Sequence, residues 1–473
     1  MLKPDLLIVG AGPAGMSAAI VAARAGLKVI VVDEQPTPGG QIWRGIEANA
    51  GTSRGRALGA QYCSGLATVR AFRECGAVYW PSTRVWQIEP TLGTYVTGPG
   101  GTRVIAPRLV LIATGAQERP APFRGWTLPG VMTVGAAQIL LKNPGSVPSE
   151  PVWIAGCGPL ALLYAHQLIR MGGTVAGFLD TRPSTPLRES LRLAGRAILR
   201  SSGELAKGAS WYAGLRHRAG RYIPGVVDLQ ALGTDRLEGV RYRTASGRVE
   251  EIRTSLLLIH EGVLPELHTA RSLGCEIQWD AGQAAYRPVL NEWGECSHPD
   301  ILIAGDAAGI GGAEAAVHRG RLSALRILQR LGKVAAEPGM TEETCRAALA
   351  RALVLRPFLD RVFRPRGEIF APDDDTIVCR CEELRVRDLR AALAGSVGPN
   401  QLKAFTRAGM GPCQGRQCGL TVAALIAAAE GRQMGAAPPG GGGPPLNGGG
   451  GALGGGRAFV GVSTCRPARP RRP

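Results

Sequence analysis

Four cysteines near the end of the chain have the residue type and spacing of metal ligands. They form two close pairs, Cys379-x-Cys381 and Cys413-x4-Cys418, separated by about thirty residues. Four thiolates in this arrangement can ligate one [2Fe–2S] cluster or one zinc ion. Most zinc modules use CxxC pairs, so the CxC and Cx4C spacings favour the iron–sulfur cluster. A zinc site, or four free thiols, is the alternative that the spacing leaves open.

The sequence around these cysteines predicts elements that stabilise thiolates. The first pair follows a short β-like segment, TIVC, and Glu382 and Glu383 are predicted to open a helix in ELRVRDLRAAL. The second pair lies in the glycine-rich segment GMGPCQGRQCG, directly before another helix pattern. Backbone N–H groups of such a loop can bond to sulfur, and a helix N-terminus stabilises a nearby thiolate.

A different chemistry is indicated at the start of the chain, where an apolar run, residues 5–9, leads into a glycine-rich turn and a helix pattern. A second apolar run then ends in an acidic residue, as in the βαβ unit that binds dinucleotides. There the glycines let the backbone approach a pyrophosphate at the helix N-terminus, and the acid accepts the ribose hydroxyls. The cofactor-binding residues predicted in this unit are Gly10, Gly12, Pro13, Ala14, Gly15, Asp33 and Glu34.

Three later segments carry further turns of the same kind. Each alone fits an ordinary strand end, but together with the first unit they resemble the four separated FAD motifs of flavoproteins with two dinucleotide-binding domains. The additional predicted residues are Gly40, Gln41, Ala113, Thr114, Gly115, Gly305 and Asp306. The resemblance implies bound FAD, an FAD domain that is discontinuous in sequence, and Asp306 facing the ribityl chain.

A second βαβ pattern lies between these motifs. Its glycine-rich turn contains Gly156 and Gly158, with Ala161 in place of a third glycine, and its second strand ends in Asp180. An acid at that position favours the free ribose hydroxyl of NAD over NADP, although Arg182 weakens the preference. Two interpretations fit this pattern equally well. One is an NAD(P) site, and the other is a retained scaffold that binds no nucleotide.

The fold class that follows is α/β. We predict a two-dinucleotide-binding-domain flavoprotein, with a Rossmann-like FAD domain and an inserted NAD(P)-like domain, plus a small, mainly helical [2Fe–2S] domain. No Ser/His/Asp or HExxH pattern occurs, and no cysteine pair follows Gly40, so a redox disulfide like that of thioredoxin reductase is not expected. Substrate-facing catalytic residues are not assigned by the sequence.

Composition excludes several function classes. The chain has 473 residues, 45% of them hydrophobic, so it can bury a large core and is not a wholly disordered protein. The net charge of +18 comes from scattered basic residues, which favours solvated faces and anionic cofactors over a nucleic-acid partner. We expect no transmembrane segment and no secretory signal, hence a cytoplasmic protein or one peripheral at the inner face of the membrane.

Motifs and composition divide the chain into six predicted segments. They are the first part of the FAD-binding domain (1–125), the inserted NAD(P)-binding-like domain (126–280), the second part of the FAD-binding domain (281–335), a helical connector (336–372), the [2Fe–2S]-binding domain (373–432) and a disordered Gly/Pro/Arg tail (433–473). In the connector, Thr341 is predicted to cap a helix, while Pro357, Pro365 and Pro372 are predicted to break helices.

Two segments carry a closer family resemblance. GMGPCQGRQCG belongs to a module that resembles the bacterioferritin-associated-ferredoxin-type [2Fe–2S] domain, although that pattern commonly ends in CxxC. Together with DEQPTPGGQIWRG, the Cx4C variant resembles the flavoprotein subunits of opine oxidases, hydroxyproline dehydrogenases and hydrogen cyanide synthase. The similarity covers roughly residues 5–430.

That resemblance implies an FAD- and [2Fe–2S]-containing subunit of a heteromeric dehydrogenase acting on the C–N bond of a small amine or amino acid. It implies two partners, a smaller amino-acid-oxidase-like flavoprotein subunit and an electron acceptor. Two other functions stay open at this stage. One is a stand-alone NAD(P)H-dependent flavin reductase that reduces an iron–sulfur partner, and the other is a non-catalytic metal-binding or interaction protein on a flavoprotein scaffold.

Overall fold

The computed structural model describes residues 2–183, 187–218, 220–394 and 398–435. Its strands are β1 (Leu6–Val9), β2 (Val29–Val32), β3 (Val78–Trp80), β4 (Arg84–Ile88), β5 (Thr94–Gly98), β6 (Gly101–Ile105), β7 (Leu109–Ile112), β8 (Ala116–Glu118), β9 (Val131–Thr133), β10 (Val152–Cys157), β11 (Val175–Asp180), β12 (Arg221–Ile223), β13 (Val226–Leu232), β14 (Gly239–Thr244), β15 (Val249–Arg253), β16 (Leu257–Glu261), β17 (Val263–Pro265), β18 (Ile277–Asp280), β19 (Ala285–Pro288), β20 (Ile301–Ile303), β21 (Ile377–Cys379) and β22 (Leu384–Arg385). Its α-helices are α1 (Pro13–Arg24), α2 (Ile46–Asn49), α3 (Ser53–Leu58), α4 (Ala60–Cys63), α5 (Gly65–Glu74), α6 (Val134–Lys142), α7 (Pro159–Arg170), α8 (Leu187–Arg218, kinked at Ser201), α9 (His268–Ser272), α10 (Ala313–Arg330), α11 (Glu342–Leu353), α12 (Arg356–Val362), α13 (Val386–Leu393), α14 (Gly398–Thr406) and α15 (Gly419–Ala429).

The first sheet has five parallel strands in the order β20-β7-β1-β2-β3. Every residue of β1, β2 and β7 is buried, which is why these strands read as continuous apolar runs rather than alternating ones. In register, Leu6 pairs with Val29 on one side and with Leu109 on the other. Because β20 pairs with β7, the sheet joins strands from distant parts of the sequence.

The second sheet is also parallel and has the order β12-β11-β10-β16-β9. All six residues of β10 and all five of β16 are buried, so this sheet too is covered on both faces. Helix α7 follows β10 directly, as the βαβ pattern predicts. The carboxyl ends of β10, β11 and β16 therefore lie side by side at one edge.

Smaller antiparallel elements surround the two large sheets. Three-stranded sheets are formed by β4-β5-β6 and by β13-β14-β15. The pairs β8–β17, β18–β19 and β21–β22 form two-stranded ribbons. The β8–β17 ribbon begins just after the third predicted FAD motif and becomes important for the cofactor sites.

The cysteine module has its own small core, which contains Val378, Leu389 and Leu425 together with the buried thiols Cys379 and Cys418. Its first strand, β21, ends at the first cysteine, as predicted. The prediction that Glu382 and Glu383 open a helix is wrong. They lie in a turn, β22 follows, and α13 begins only at Val386. Glu383 has a φ of +54°, a left-handed conformation that a helix cannot include.

In the connector between the sheets and the cysteine module, Thr341 caps a helix, as predicted. Thr341 Oγ1 accepts a hydrogen bond of 3.2 Å from the Thr344 N–H at the start of α11. Pro365 and Pro372 lie outside helices, as predicted. Pro357 does not break a helix but lies in the first turn of α12. Backbone N–H groups in a first turn have no partner within the helix, so proline is tolerated there.

The described residues contain no helix that combines the length and the apolar character needed to cross a membrane. The residue limits of the six predicted segments remain predictions. Of the predicted tail, residues 436–473 lie outside the described residues.

Candidate cofactor sites

The glycine-rich turn after β1 is packed directly against the end of β7. A Cβ atom added to Gly10 would lie 2.5 Å from the carbonyl oxygen of Ala113, and one added to Gly15 would collide with the carbonyl oxygen of Gly10. No side chain fits at either position. The first and third predicted FAD motifs therefore meet here through backbone atoms.

The second motif approaches the same turn from the other side. Gly40 has a φ of +59°, and a Cβ atom there would lie 2.9 Å from the Cα of Gly12. A Cβ atom added to Gly12 would have the Cα of Gly40, at 3.9 Å, as its nearest neighbour, so there is open space beside Gly12. Gly12 caps α1, whose first residue is Pro13, and the open space lies at the positive end of that helix. This is the arrangement that a pyrophosphate requires.

The last motif completes the group. A Cβ atom on Gly305 would lie 2.9 Å from the Cβ of Ala14. Asp306 Oδ1 accepts hydrogen bonds of 2.8 Å and 3.0 Å from the N–H groups of Gly311 and Gly312, which lead into α10. The structure thus places Asp306 beside the N-termini of α1 and α10, although residues 305 and 14 are far apart in sequence.

Asp33, the predicted ribose ligand, is 8% exposed and directly follows β2, the second strand of the unit. Its carboxylate accepts hydrogen bonds of 2.6 Å from the Ala11 N–H and 2.7 Å from the Gln35 N–H. Burial raises the pKa of this carboxyl above its usual range, and the two backbone N–H groups oppose that shift. Glu34, which was predicted together with Asp33, is exposed, and its Oε2 atom lies 3.7 Å from Arg84 Nε.

Lys142 is a residue of this site that the sequence analysis missed. Its Nζ atom is buried at the end of α6 and donates hydrogen bonds to the carbonyl oxygens of Gln41 (2.8 Å) and Ile42 (3.0 Å) and to Gln138 Oε1 (3.1 Å). It therefore holds the backbone of the second motif in place. Lysine is rare in this chain, but nothing in the local pattern of α6 distinguishes this one.

We predict that Lys142 makes the stability of the protein rise with pH. Burial, assisted by Arg44, lowers the pKa of Lys142 from 10.5 to about 7. Between these two values the unfolded state binds the extra proton, so stability increases with pH across that window. Lys142→Met should remove about 2 kcal/mol of the gain in unfolding free energy between pH 7 and pH 9, measured by denaturant unfolding.

The control for this prediction is Lys28→Met, which removes an exposed lysine. It should leave the pH dependence of the unfolding free energy as in the natural sequence. Equal slopes for Lys142→Met and Lys28→Met would show instead that the amine keeps its proton on folding, held by its three oxygen acceptors.

One orphaned polar atom in these motifs fits a bound cofactor. Thr114 Oγ1 and Trp43 Nε1 are buried without a hydrogen-bond partner in the described part of the chain. Thr114 belongs to the third motif, whereas the indole of Trp43 packs on Gly65 of α5, away from the motifs. Buried polar atoms are normally hydrogen-bonded, so the Thr114 hydroxyl is suited to a polar atom of a ligand.

The second dinucleotide unit has a different appearance. A Cβ atom on Gly156 would collide with the carbonyl oxygen of His260, and one on Gly158 would lie 3.1 Å from the His260 ring. Packing against β16 thus accounts for both glycines. His260 is buried, and its Nδ1 lies 2.6 Å from Glu118 Oε1.

Asp180, the predicted ribose ligand of this unit, is already surrounded by partners. The guanidinium of Arg182 donates to both of its carboxylate oxygens, with Nε at 2.8 Å and Nη2 at 2.6 Å from Oδ2, and the Tyr222 hydroxyl donates to Oδ2 as well. The residue is buried, with 3% of its surface exposed. With the Arg182 backbone N–H, which donates a 3.0 Å hydrogen bond to Oδ1, the acid has four protein donors at the position where a ribose would need it.

The four cysteines are brought together as two pairs. Cys379 ends β21 and Cys418 caps α15, and both thiols are buried and hydrogen-bonded to each other. Cys381 and Cys413 form the other, more exposed pair. The hydrogen bond from Cys418, with those from the backbone of Gly409 and of Glu382, lowers the pKa of the Cys379 thiol to about 5.

The donor set of this module fits an iron–sulfur cluster. Two pairs of sulfur atoms supply the four thiolates that a [2Fe–2S] cluster needs, and backbone N–H groups point at the sulfurs, a common way of tuning such clusters. Gly411 packs so closely on Cys381 that it leaves no room for a side chain. Among the described residues, no three or more His, Cys, Asp or Glu side chains are grouped closely enough to hold a metal ion, so the four cysteines meet here as two pairs and not as one closed four-ligand site.

The β8–β17 ribbon connects the two sites. It starts next to Gly115, whose carbonyl oxygen accepts a 2.9 Å hydrogen bond from the Glu266 N–H. On the other side, Gln117 Nε2 donates a 3.0 Å hydrogen bond to the carbonyl oxygen of Arg416, between the last two cysteines. A small cleft, open to solvent, lies at this junction and is lined by ribbon residues such as Gln117 and by residues of the cysteine loop such as Gln414.

A further contact fixes the cysteine module to the sheets. Trp126 Nε1 donates a 2.7 Å hydrogen bond to the carbonyl oxygen of Ile377, two residues before the first cysteine. Neither Trp126 nor Gln117 was predicted as a functional residue, because their partners lie about 250 and 300 residues away in sequence. The cysteine module is thus held against the β8–β17 ribbon and the segment around Trp126.

Comparison with protein-family models identifies two matches. Residues 4–320 match the pyridine nucleotide-disulphide oxidoreductase family, and residues 377–428 match the BFD-like [2Fe-2S] binding domain. Both modules were predicted from the sequence, and the matches confirm the fold class.

Similar proteins of known identity point the same way. The chain is 43% identical to the A subunit of opine oxidase from Agrobacterium tumefaciens, over 90% of this chain and 86% of that one. It is 36% identical to hydrogen cyanide synthase subunit HcnB of Pseudomonas aeruginosa, over 88% and 91% of the two chains. The crystal structure of L-proline dehydrogenase from P. horikoshii has the same fold, with a TM-score of 0.67 at 19% identity, covering 94% of this chain and 78% of that one.

Proposed function

The chain belongs to the pyridine nucleotide-disulphide oxidoreductase family and, within it, to the relatives of the opine oxidase A subunit, and on that premise we propose that it relays electrons from FAD to a [2Fe–2S] cluster within a heteromeric dehydrogenase. The relatives at 36% and 43% identity are named as subunits, one of an oxidase and the other of a synthase. The observation that carries the relay is the β8–β17 ribbon, which contacts the FAD motifs at Gly115 and the cysteine loop at Arg416.

We assign the cofactor ligands as the sequence predicts them. Gly12 and the start of α1 would receive the FAD pyrophosphate, Asp33 the adenosine ribose, and Asp306 the ribityl chain. Cys379, Cys381, Cys413 and Cys418 would hold the cluster. FAD accepts two electrons as a hydride and can release them singly, whereas the cluster carries one electron at a time.

The protein's own part in the relay is to position these groups. Lys142 and the close contact between Gly12 and Gly40 fix the second motif against the first. Gln117 and Trp126 hold the cysteine module against the rest of the chain. Asp306 holds the two glycine N–H groups before α10 and so fixes the start of that helix.

The substrate of the complex is, in this proposal, a small amine, amino acid or opine. Its C–N bond would be oxidised in a smaller, amino-acid-oxidase-like flavoprotein subunit, and the cluster would pass the electrons to an acceptor. Two facts support this division. The sequence of this chain assigns no substrate-facing catalytic group, and its opine oxidase relatives are named as one lettered subunit of their enzyme.

An anaerobic titration of the complex tests the proposal. The chain co-purified with its partner subunit should lose flavin absorbance when an opine or amino-acid substrate is added. The paramagnetic signal of a reduced [2Fe–2S] cluster should then appear in the same sample. The chain without its partner should show neither change with the same substrate.

Two results would contradict this function. Bleaching of the flavin by NADH alone, at a rate comparable with that of the substrate, would favour the stand-alone NAD(P)H-dependent reductase. A purified protein that contains zinc but neither iron nor flavin would support the non-catalytic, metal-binding alternative.

A further inference from the structure

One connector segment lies across the second dinucleotide unit. We call residues Phe363–Arg366 the strap; they follow α12 and contain Arg364 and Pro365. In parallel α/β sheets a nucleotide binds beyond the carboxyl ends of the strands. Here those ends are Cys157, Asp180 and Glu261, and the strap contacts each of these three regions.

The first contact covers the glycine-rich turn. The Cys157 thiol sulfur lies 3.8 Å from the carbonyl oxygen of Phe363 and 3.7 Å from that of Arg364. Cys157 lies between the two glycines of the turn and is only 1% exposed. In a nucleotide complex the backbone of this turn faces the pyrophosphate, so the strap lies along the path that the pyrophosphate would take.

The second contact is at the ribose position. The guanidinium of Arg182, which holds the Asp180 carboxylate, lies 5.8 Å from the centre of the Phe363 ring on one side and 5.1 Å from that of Tyr212. Cation–π contacts of this kind fix the guanidinium in place. The strap thereby stabilises the arrangement that occupies Asp180.

The third contact is a buried ion pair. Arg366 Nε lies 2.9 Å from Glu261 Oε1, and the two side chains are 5% and 3% exposed. Arg366 Nη1 also donates to the carbonyl oxygen of Val227 at 3.2 Å. A buried pair of this kind is hard to break one partner at a time, because the remaining charge would be left without a partner.

From these contacts we infer that the strap is the resident occupant of the second dinucleotide cleft and that it excludes NAD(P)H from this chain. The inference goes beyond the proposed relay, which requires no nucleotide at this site. It also distinguishes a closed site from a degenerate one: the βαβ unit keeps its glycines and its acid, but the chain's own backbone lies where the ligand would.

The test compares two arginines that are two residues apart. Arg366→Ala removes the buried anchor of the strap, whereas Arg364→Ala removes an exposed side chain of the same type and serves as the control. Phe363→Ala is a second opening variant that leaves no buried charge unpaired. Retention of flavin and cluster absorbance shows that each variant is folded.

Two measurements report on the strap. One is the rate at which a thiol reagent labels Cys157, read by peptide mass spectrometry of the holoprotein. The other is the Kd for NADH, from titration of its fluorescence. In the natural sequence and in Arg364→Ala we expect Cys157 to stay unlabelled and NADH to bind with a Kd above about 1 mM. The opening variants should label at least about tenfold faster and bind NADH at least about tenfold more tightly.

The possible results separate clearly. A micromolar Kd for NADH in the natural sequence overturns the inference, whether or not the variants fold. Folded Arg366→Ala and Phe363→Ala proteins that match Arg364→Ala in both measurements also overturn it. The relay from FAD to the cluster is tested by the substrate titration and does not depend on either result.

Discussion

Replacing Cys413 with serine should abolish the paramagnetic signal of the reduced cluster while FAD stays bound. Cys413 pairs with Cys381 at the more exposed side of the module, and a serine hydroxyl is a much poorer ligand for iron than a thiolate. Loss of an outer-shell partner alone typically costs about 10–100-fold in metal affinity, so loss of a direct ligand should cost at least as much. Electron delivery from the complex to its acceptor should fall by about two orders of magnitude.

The measurements are iron content, the paramagnetic signal after reduction and flavin content in one preparation. Cys63→Ser is the matched control, since Cys63 is a half-buried thiol outside the cysteine module. It should leave all three quantities unchanged. An unaltered signal in Cys413→Ser would show that Cys413 is not a required ligand.

Gly40→Ala should release FAD. The substitution places a Cβ atom 2.9 Å from the Cα of Gly12, on the turn that would receive the pyrophosphate, and it does so at a φ of +59°. A left-handed conformation alone costs a non-glycine residue about 1–2 kcal/mol, which corresponds to roughly tenfold in an equilibrium constant, and the backbone clash adds to this. We expect FAD affinity to fall at least about tenfold, measured by flavin release on dilution.

Gly26→Ala separates the two effects. Gly26 also has a positive φ, +82°, but an added Cβ atom there has no neighbour within 4 Å. This control therefore carries the conformational strain without the contact on the FAD turn. If Gly26→Ala and Gly40→Ala release FAD equally, the close approach of Gly40 to Gly12 has no role in holding the cofactor.

The cysteine module shows which structural features can be predicted from local sequence. The spacing of its cysteines and the strand and helix that flank them were predictable, because short-range patterns determine which thiols can meet. The start of α13 was not. A left-handed Glu383 and the short strand β22 delay the helix to Val386, and this reflects the pairing of β22 with β21 rather than helix propensity.

The FAD motifs show a similar limit. Each motif is recognisable alone, since a glycine-rich turn after an apolar run has a local physical cause. Their convergence depends on contacts between distant segments, such as Gly305 with Ala14 and Gly40 with Gly12. Lys142 was missed for the same reason, because its hydrogen-bond partners Gln41 and Ile42 lie a hundred residues earlier in the sequence.

By itself, then, the sequence determined the fold class, the cofactor types and the family, because turns, strand ends and cysteine spacings are local patterns. The sequence left the second dinucleotide unit undecided between a nucleotide site and a bare scaffold, since Gly156, Gly158 and Asp180 are common to both. Only the tertiary structure places Phe363 and Arg366 over that unit, about two hundred residues from its glycines. Whether a cleft is open depends on which distant segment packs into it, and no local pattern carries that information.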